Sequence, residues 1–286
     1  MDLRGRRQSS NIEDRRGMRP VRTGVGISLG GVLFLVVLSL LGINPLPFLG
    51  VATKQPEVQM QQTAEPYQES AQEAKLREMT AVVLADTEET WHAILPQYNV
   101  QYVEPTLVLF TGAVQSGCGT AESAMGPFYC PLDQKVYIDM SFYDELSQRF
   151  GAPGDFAQAY VIAHEVGHHV QNLVGTAKQV HEAQQSVGKV QANELSVRME
   201  LQADCFAGVW ANHAAQSRQL LEAGDVEEGL NAASAIGDDR LQRETQGRVV
   251  PDAFTHGSSE QRVRWFRKGL EAGTPDACDT FAAKAL

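Results

Sequence analysis

The residues able to do chemistry gather in two short runs. His164-Glu165-Val166-Gly167-His168 sets two imidazoles four positions apart with a carboxylate beside the first. On a helix, positions i and i+4 share a face about one turn apart, so both rings can approach one metal ion while Glu165 stands next to its open coordination position. Zinc suits this set, because neutral nitrogens hold it and a neighbouring carboxylate can take a proton from the water that attacks a carbonyl. His164 and His168 are therefore candidate ligands of one Zn2+ per chain, and Glu165 is the candidate general base.

A catalytic zinc also needs a third protein ligand. A metzincin would carry Gly and His where this chain has Gln171 and Val174, which excludes that subclass. Glu200-Leu-Gln-Ala-Asp204 supplies a second i, i+4 pair inside the apolar run LQADCFAGVW, where unsatisfied carboxylates are costly. Such a pair is usually a solvated helix face, but with HEVGH upstream it reads as a ligand, Glu200, plus Asp204 accepting from the outer nitrogen of a ligating His.

His256 lies in the loop Phe254-Thr-His-Gly-Ser-Ser-Glu-Gln-Arg262 before an amphipathic helix. Ser258 or Ser259 can cap that helix, and Arg262 can anchor the loop by a salt bridge. A loop His facing a zinc cleft can donate to a developing oxyanion, so His256 is the second candidate catalytic residue. His169 points about 100° away from His168 around the helix and reads as peripheral. His181 and His213 sit in polar stretches and read as exposed.

These residues need a scaffold. Thr106–Phe110 (TLVLF) is a β-rich run, and FYC, the turn PLDQ and KVYID read as a β-hairpin. Leu76, Met79, Val83, Trp91 and Leu95 recur at helical intervals and predict a helix ending near Pro96. Helices are expected over SFYDELSQRF, 155–173, 193–213, around 225–241 and 258–270. A small sheet followed by helices is an α+β arrangement. An extended peptide substrate would add along an exposed sheet edge, near Gly126–Tyr129 or Lys135–Asp139.

Length and composition fit one large domain with an appendage: 286 residues, 43% hydrophobic and 21% charged, exclude a disulfide-dense mini-scaffold and a wholly disordered chain. Residues 1–22 hold seven Arg against three acids, a balance of +4, leaving −15 for the rest of a chain whose net charge is −11. So acidic a body is a poor partner for nucleic acid, which needs clustered Lys and Arg. Gly24–Ile43 is almost wholly apolar, and its twenty residues rise about 30 Å as a helix, a bilayer's hydrocarbon thickness. The expected organisation is a basic cytoplasmic N-terminus (1–22), one transmembrane helix (23–44), a linker (45–74) and a metallopeptidase domain (75–286). The positive-inside bias then makes the chain a single-pass protein of the bacterial inner membrane with its body periplasmic. A cleaved signal peptide is the competing reading of the same stretch.

Four cysteines fit an exported body. Loop length favours a Cys118 to Cys130 disulfide and hence Cys205 to Cys278, and no CxxC spacing supports a cysteine zinc site.

HEVGH with ELQADC downstream, GPFYCP and VYID upstream, THGSSEQR near the end and a GRRxSxNxEDRRG-like start together resemble the bacterial neutral zinc metallopeptidase family over nearly the whole chain. The spacing of Glu200 to Asp204 and of His256 to Arg262 is also similar to membrane-associated gluzincins. The resemblance implies a zincin fold, zinc on His164, His168 and Glu200, Glu165 as base, and a peptide or protein substrate. The rival from another class is a non-proteolytic periplasmic chaperone or interaction module with a structural metal. The three apparent protein ligands, which leave one position open, favour the enzyme.

Overall fold

A computed structural model describes residues 1–22, 58–62 and 67–286. The expected membrane helix at 23–44, and most of the expected linker, lie outside the described residues. Among the described residues no helix is long and apolar enough to cross a membrane.

The architecture is α+β. A four-stranded sheet has the order β1 (Ile12–Asp14), β4 (Thr106–Phe110), β8 (Lys135–Asp139), β7 (Phe128–Cys130). β1 and β4 are parallel, as are β4 and β8, whereas β7 runs antiparallel to β8 and forms the edge opposite β1. Lys135–Asp139 is therefore an interior strand, which removes it as a substrate-binding edge and leaves the β7 side. Alternation splits the apolar residues of β4 between two layers. Leu107 and Leu109 enter the main core, while Val108 and Phe110 pack with Val114 and Ala121 of a hairpin, β5 (Ala113–Ser116) and β6 (Gly119–Glu122).

The helices cover the other face. α1 (Ala71–Ile94) starts at a capping box formed by Ser70 and Glu73 and packs on α3 (Asp155–Leu173). A short α2 (Ser141–Gln148) follows the sheet, and α4 (Thr176–Gln184) was not anticipated. α3 crosses α5 (Lys189–Gln216), which in turn packs on α8 (Ser259–Ala272). A Cβ on Gly269 would stand 1.9 Å from the Cys205 carbonyl oxygen, so the α5–α8 crossing is closer than any side chain allows. The helix expected around 225–241 is two helices, α6 (Asp225–Ala235) and α7 (Asp238–Gln246), broken at Gly237. Cys118 is bonded to Cys130 and Cys205 to Cys278.

Residues 1–22 do not form a separate unit, contrary to the expected boundary. β1 is a strand of the main sheet, and β2 (Met18–Arg22) pairs antiparallel with β3 (Val58–Gln62), Arg22 opposite Val58. Three of the basic residues that suggested a cytoplasmic handle have structural partners: Arg7 meets Glu88 at 2.8 Å, Arg15 meets Glu13 at 2.8 Å, and Arg16 meets Glu69 at 2.7 Å. The α-amino group of Met1 lies 2.8 Å from Asp155 at the start of α3.

Candidate metal centre

α3 carries His164, Glu165 and His168 on a helix most of whose other residues are buried, Tyr160, Ile162 and Val166 fully so. α5 lies close enough against it to bring Glu200 opposite the two rings. Gly167 makes this possible, since a Cβ there would meet the Ala203 carbonyl oxygen at 3.0 Å.

One carboxylate faces both imidazoles. Glu200 Oε2 is 3.2 Å from His164 Nε2, and Oε1 is 3.5 Å from His168 Nε2. Tetrahedral zinc with bonds of about 2.1 Å separates its ligand atoms by about 3.4 Å, so the donor spacing fits that ion. Each ring is oriented through its other nitrogen. His164 Nδ1 donates to Asp204 Oδ1 at 2.8 Å, and His168 Nδ1 donates to Gln171 Oε1 at 2.8 Å. Both Nε2 lone pairs are thereby left for one ion. Gln171 is held in turn, its amide donating to Met199 O at 2.7 Å.

Asp204 is fully buried and also accepts from the Tyr160 hydroxyl and from Arg262 Nε and Nη2, each of the last two at 2.9 Å. Burial alone would raise the Asp204 carboxyl; Arg262 and His164 hold it below the usual range. Burial would likewise depress His164, but Asp204, with Glu200, lifts the ring to about 10. Glu200 raises His168 against the same burial effect. Burial works to raise the Glu200 carboxyl too, and the two rings keep it well below its ordinary range. Such a field favours a cation between the rings and Glu200, and a divalent metal on neutral imidazoles meets the same demand.

The three ligand candidates and Glu165 line one cleft of about 730 Å³, together with Tyr129 of β7 and His256. Glu165 is nearly buried, at 7% exposure. The His256 loop is anchored differently from the expectation. Asp238 Oδ2, at the start of α7, accepts the backbone N–H groups of Thr255, His256 and Gly257 at 2.7, 2.6 and 3.1 Å. Its Oδ1 lies 3.4 Å from His256 Nδ1 and raises that imidazole, with burial opposing. Arg262 serves the metal centre, pairing with Asp204 and not with the loop. Ser258 caps α8 with Gln261 closing the box.

His169 is not peripheral. It is fully buried, donates from Nε2 to Val103 O at 2.6 Å, and accepts on Nδ1 from the Tyr129 hydroxyl at 3.0 Å. Asn172 donates to the same hydroxyl at 3.1 Å. One turn of α3 thus pins the edge strand β7 beside the metal ligands. His213 is half-buried and donates to Gly273 O, while His181 is exposed at the cleft wall. Sequence reasoning missed Tyr160, Gln171 and Asp238. The one-turn spacing of Gln171 from His168 was a usable signal; Asp238 had none.

Two rings and one carboxylate that face each other, with a further carboxylate lining the same cleft, are a donor set able to hold a zinc ion. The whole-chain comparison agrees: residues 1–281 match the model of the family described as "Putative neutral zinc metallopeptidase", and the chain belongs to that family. It is 50% identical to the "Uncharacterized protein YpfJ" of Escherichia coli K12 over 287 residues, 98% of this chain and 99% of that one. It is 45% identical to "Uncharacterized protein Rv2575" of Mycobacterium tuberculosis H37Rv over 206 residues, 68% of this chain and 67% of the other. No solved structure matches it.

Proposed function

We propose that this chain is a membrane-attached zinc endopeptidase of gluzincin type that acts in an oxidising, extracytoplasmic compartment. The convergence of His164, His168 and Glu200 at tetrahedral-edge distances, with Glu165 beside them, carries the reading. Zinc bound there supplies Lewis acidity and brings the pKa of water toward about 7. Glu165 takes the proton of the attacking water and passes it to the leaving amine. His256, oriented by Asp238, donates to the oxyanion as the carbonyl becomes tetrahedral. Arg262 and Asp204 hold His164 in the required tautomer.

The β7 edge supports a zincin-like mode of substrate binding, in which an extended peptide adds to that strand and lies across the metal ligands. Phe142, Phe150, Ile236 and Leu241 give the cleft an apolar wall beside that edge, which suits an apolar substrate side chain. Attachment to the bilayer rests on the apolar run Gly24–Ile43, and the two disulfides suit an exported body.

The test is Glu165→Gln in the purified full chain, with zinc measured by mass spectrometry and cleavage measured on a peptide library. The reading expects one zinc per chain in both proteins and cleavage lowered by about 10²–10⁴-fold in the variant. Undiminished cleavage by Glu165→Gln refutes it.

A further inference from the structure

The separation of N-terminus and body by a bilayer, expected from the arginine block, conflicts with how the two are joined. We propose that residues 1–22 and the body from Val58 onward lie on the same side of the membrane, so that the chain reaches the bilayer from one face only.

Three independent features carry this. The first is the pairing of Arg22 with Val58. Paired strands lie about 5 Å apart, whereas the two ends of a single crossing are separated by about 30 Å. Whatever path residues 23–57 follow, it starts and finishes at one place on the body.

The second is the buried carboxylate of Glu88 on α1, which is 1% exposed. It takes hydrogen bonds from Arg7 Nη2 at 2.8 Å, from the Ser9 hydroxyl and from Asn11 Nδ2 at 3.0 Å. All three donors belong to the first eleven residues. Withdrawing that segment to the far side of a membrane strips a buried charge of these partners, which a folded body does not tolerate cheaply.

The third is β1 itself, parallel to β4 with Leu107 N donating to Asn11 O and Arg15 N donating to Leu109 O, both at 2.8 Å. Of the arginines that suggest retention in the cytoplasm, Arg6, Arg7, Arg15 and Arg16 are engaged in ion pairs and carbonyl contacts of this fold, among them Arg6 to Arg218 O and Arg15 to Gln115 O. The charge of these four has a structural use in the body, which weakens it as a signal for a side. Only fourteen residues separate Ile43 from Val58, fewer than the ~20 a second helical crossing needs. The partner is thus one leaflet of a bilayer.

The experiment uses the full chain in intact cells and two variants that each add one free cysteine to the four disulfide-bonded ones, Ser10→Cys and Glu271→Cys, at exposed positions of the N-terminal segment and of α8. A membrane-impermeant maleimide is applied before and after permeabilisation. The parent chain sets the background, and denatured samples calibrate full reaction at each thiol. The proposal expects both positions to give the same ratio of intact to permeabilised labelling, high for both or low for both. Labelling of one position in intact cells with the other reacting only after permeabilisation overturns it. Peptidase activity plays no part in the readout, so this result stands apart from the catalytic assignment.

Discussion

Replacing Asp204 by Asn tests whether the metal centre and the helix packing depend on one charge. The carboxylate accepts from His164 Nδ1 at 2.8 Å, from Tyr160, and twice from Arg262 at 2.9 Å. Asparagine keeps the shape and removes the charge, which leaves the Arg262 guanidinium, 2% exposed, without a counter-ion. Breaking a buried pair from one side costs about 3–5 kcal/mol, or roughly two to four decades in the folding constant. His164 loses its anionic acceptor at the same time, and outer-shell losses of this kind lower metal affinity by about 10–100-fold.

Urea unfolding of the zinc-free protein measures the first effect, and competition with a chromophoric zinc chelator the second. Since about 3–5 kcal/mol is a large share of a domain's total of about 5–15, the double variant Asp204→Asn/Arg262→Met is the companion. Removing the stranded cation restores most of the stability while zinc affinity stays low. Wild-type zinc affinity in Asp204→Asn, or equal stability of the single and double variants, refutes the shared-charge reasoning.

His256→Ala is expected to lower kcat by about 10²–10³-fold with zinc content unchanged, and Asp238→Asn to reproduce part of that loss by loosening the loop; steady-state kinetics with metal analysis checks both. Tyr129→Phe removes the hydroxyl that joins β7 to His169 and Asn172, so KM for a peptide rises more than kcat falls, and equal effects on both would contradict an edge-strand role. The Glu13 carboxyl is lowered from 4.5 to about 2 by Arg15, with burial opposing and Lys135 assisting. A depressed carboxyl stabilises the fold above its unfolded value and loses that contribution as pH falls through the folded one. Between pH 4.5 and about 2, therefore, the N-terminal segment should loosen, as amide exchange at Ile12–Asp14 would report, and Glu13→Gln should flatten this dependence.

Much of the site was legible because helix periodicity is local. The i, i+4 spacing in HEVGH and ELQAD places four groups on two helix faces, and the β-rich runs TLVLF and KVYID are strands in the structure. What was hidden is what depends on partners distant in sequence. Ile12–Asp14 is a three-residue strand with two charged side chains, and only β4, almost a hundred residues later, makes it one. Seven arginines before an apolar run match a membrane-topology signal, and nothing local reveals that Glu88 awaits Arg7 and Glu69 awaits Arg16. His169 looked peripheral because the ring direction was judged from the metal face, whereas the opposite face of α3 meets the sheet.

The placement of β1 bears on how the protein can be made in soluble form. β4 is a low-charge, apolar strand, and β1 covers its outer edge. A fragment cut to begin at α1 sheds the apolar run but bares that edge, and unprotected strands of this composition associate with one another. The better excision keeps residues 1–22 and replaces 23–57 with an Asn-Gly turn, because Arg22 and Val58 are already paired as the last residues of a hairpin. Monodispersity of the two proteins at equal concentration would show the difference.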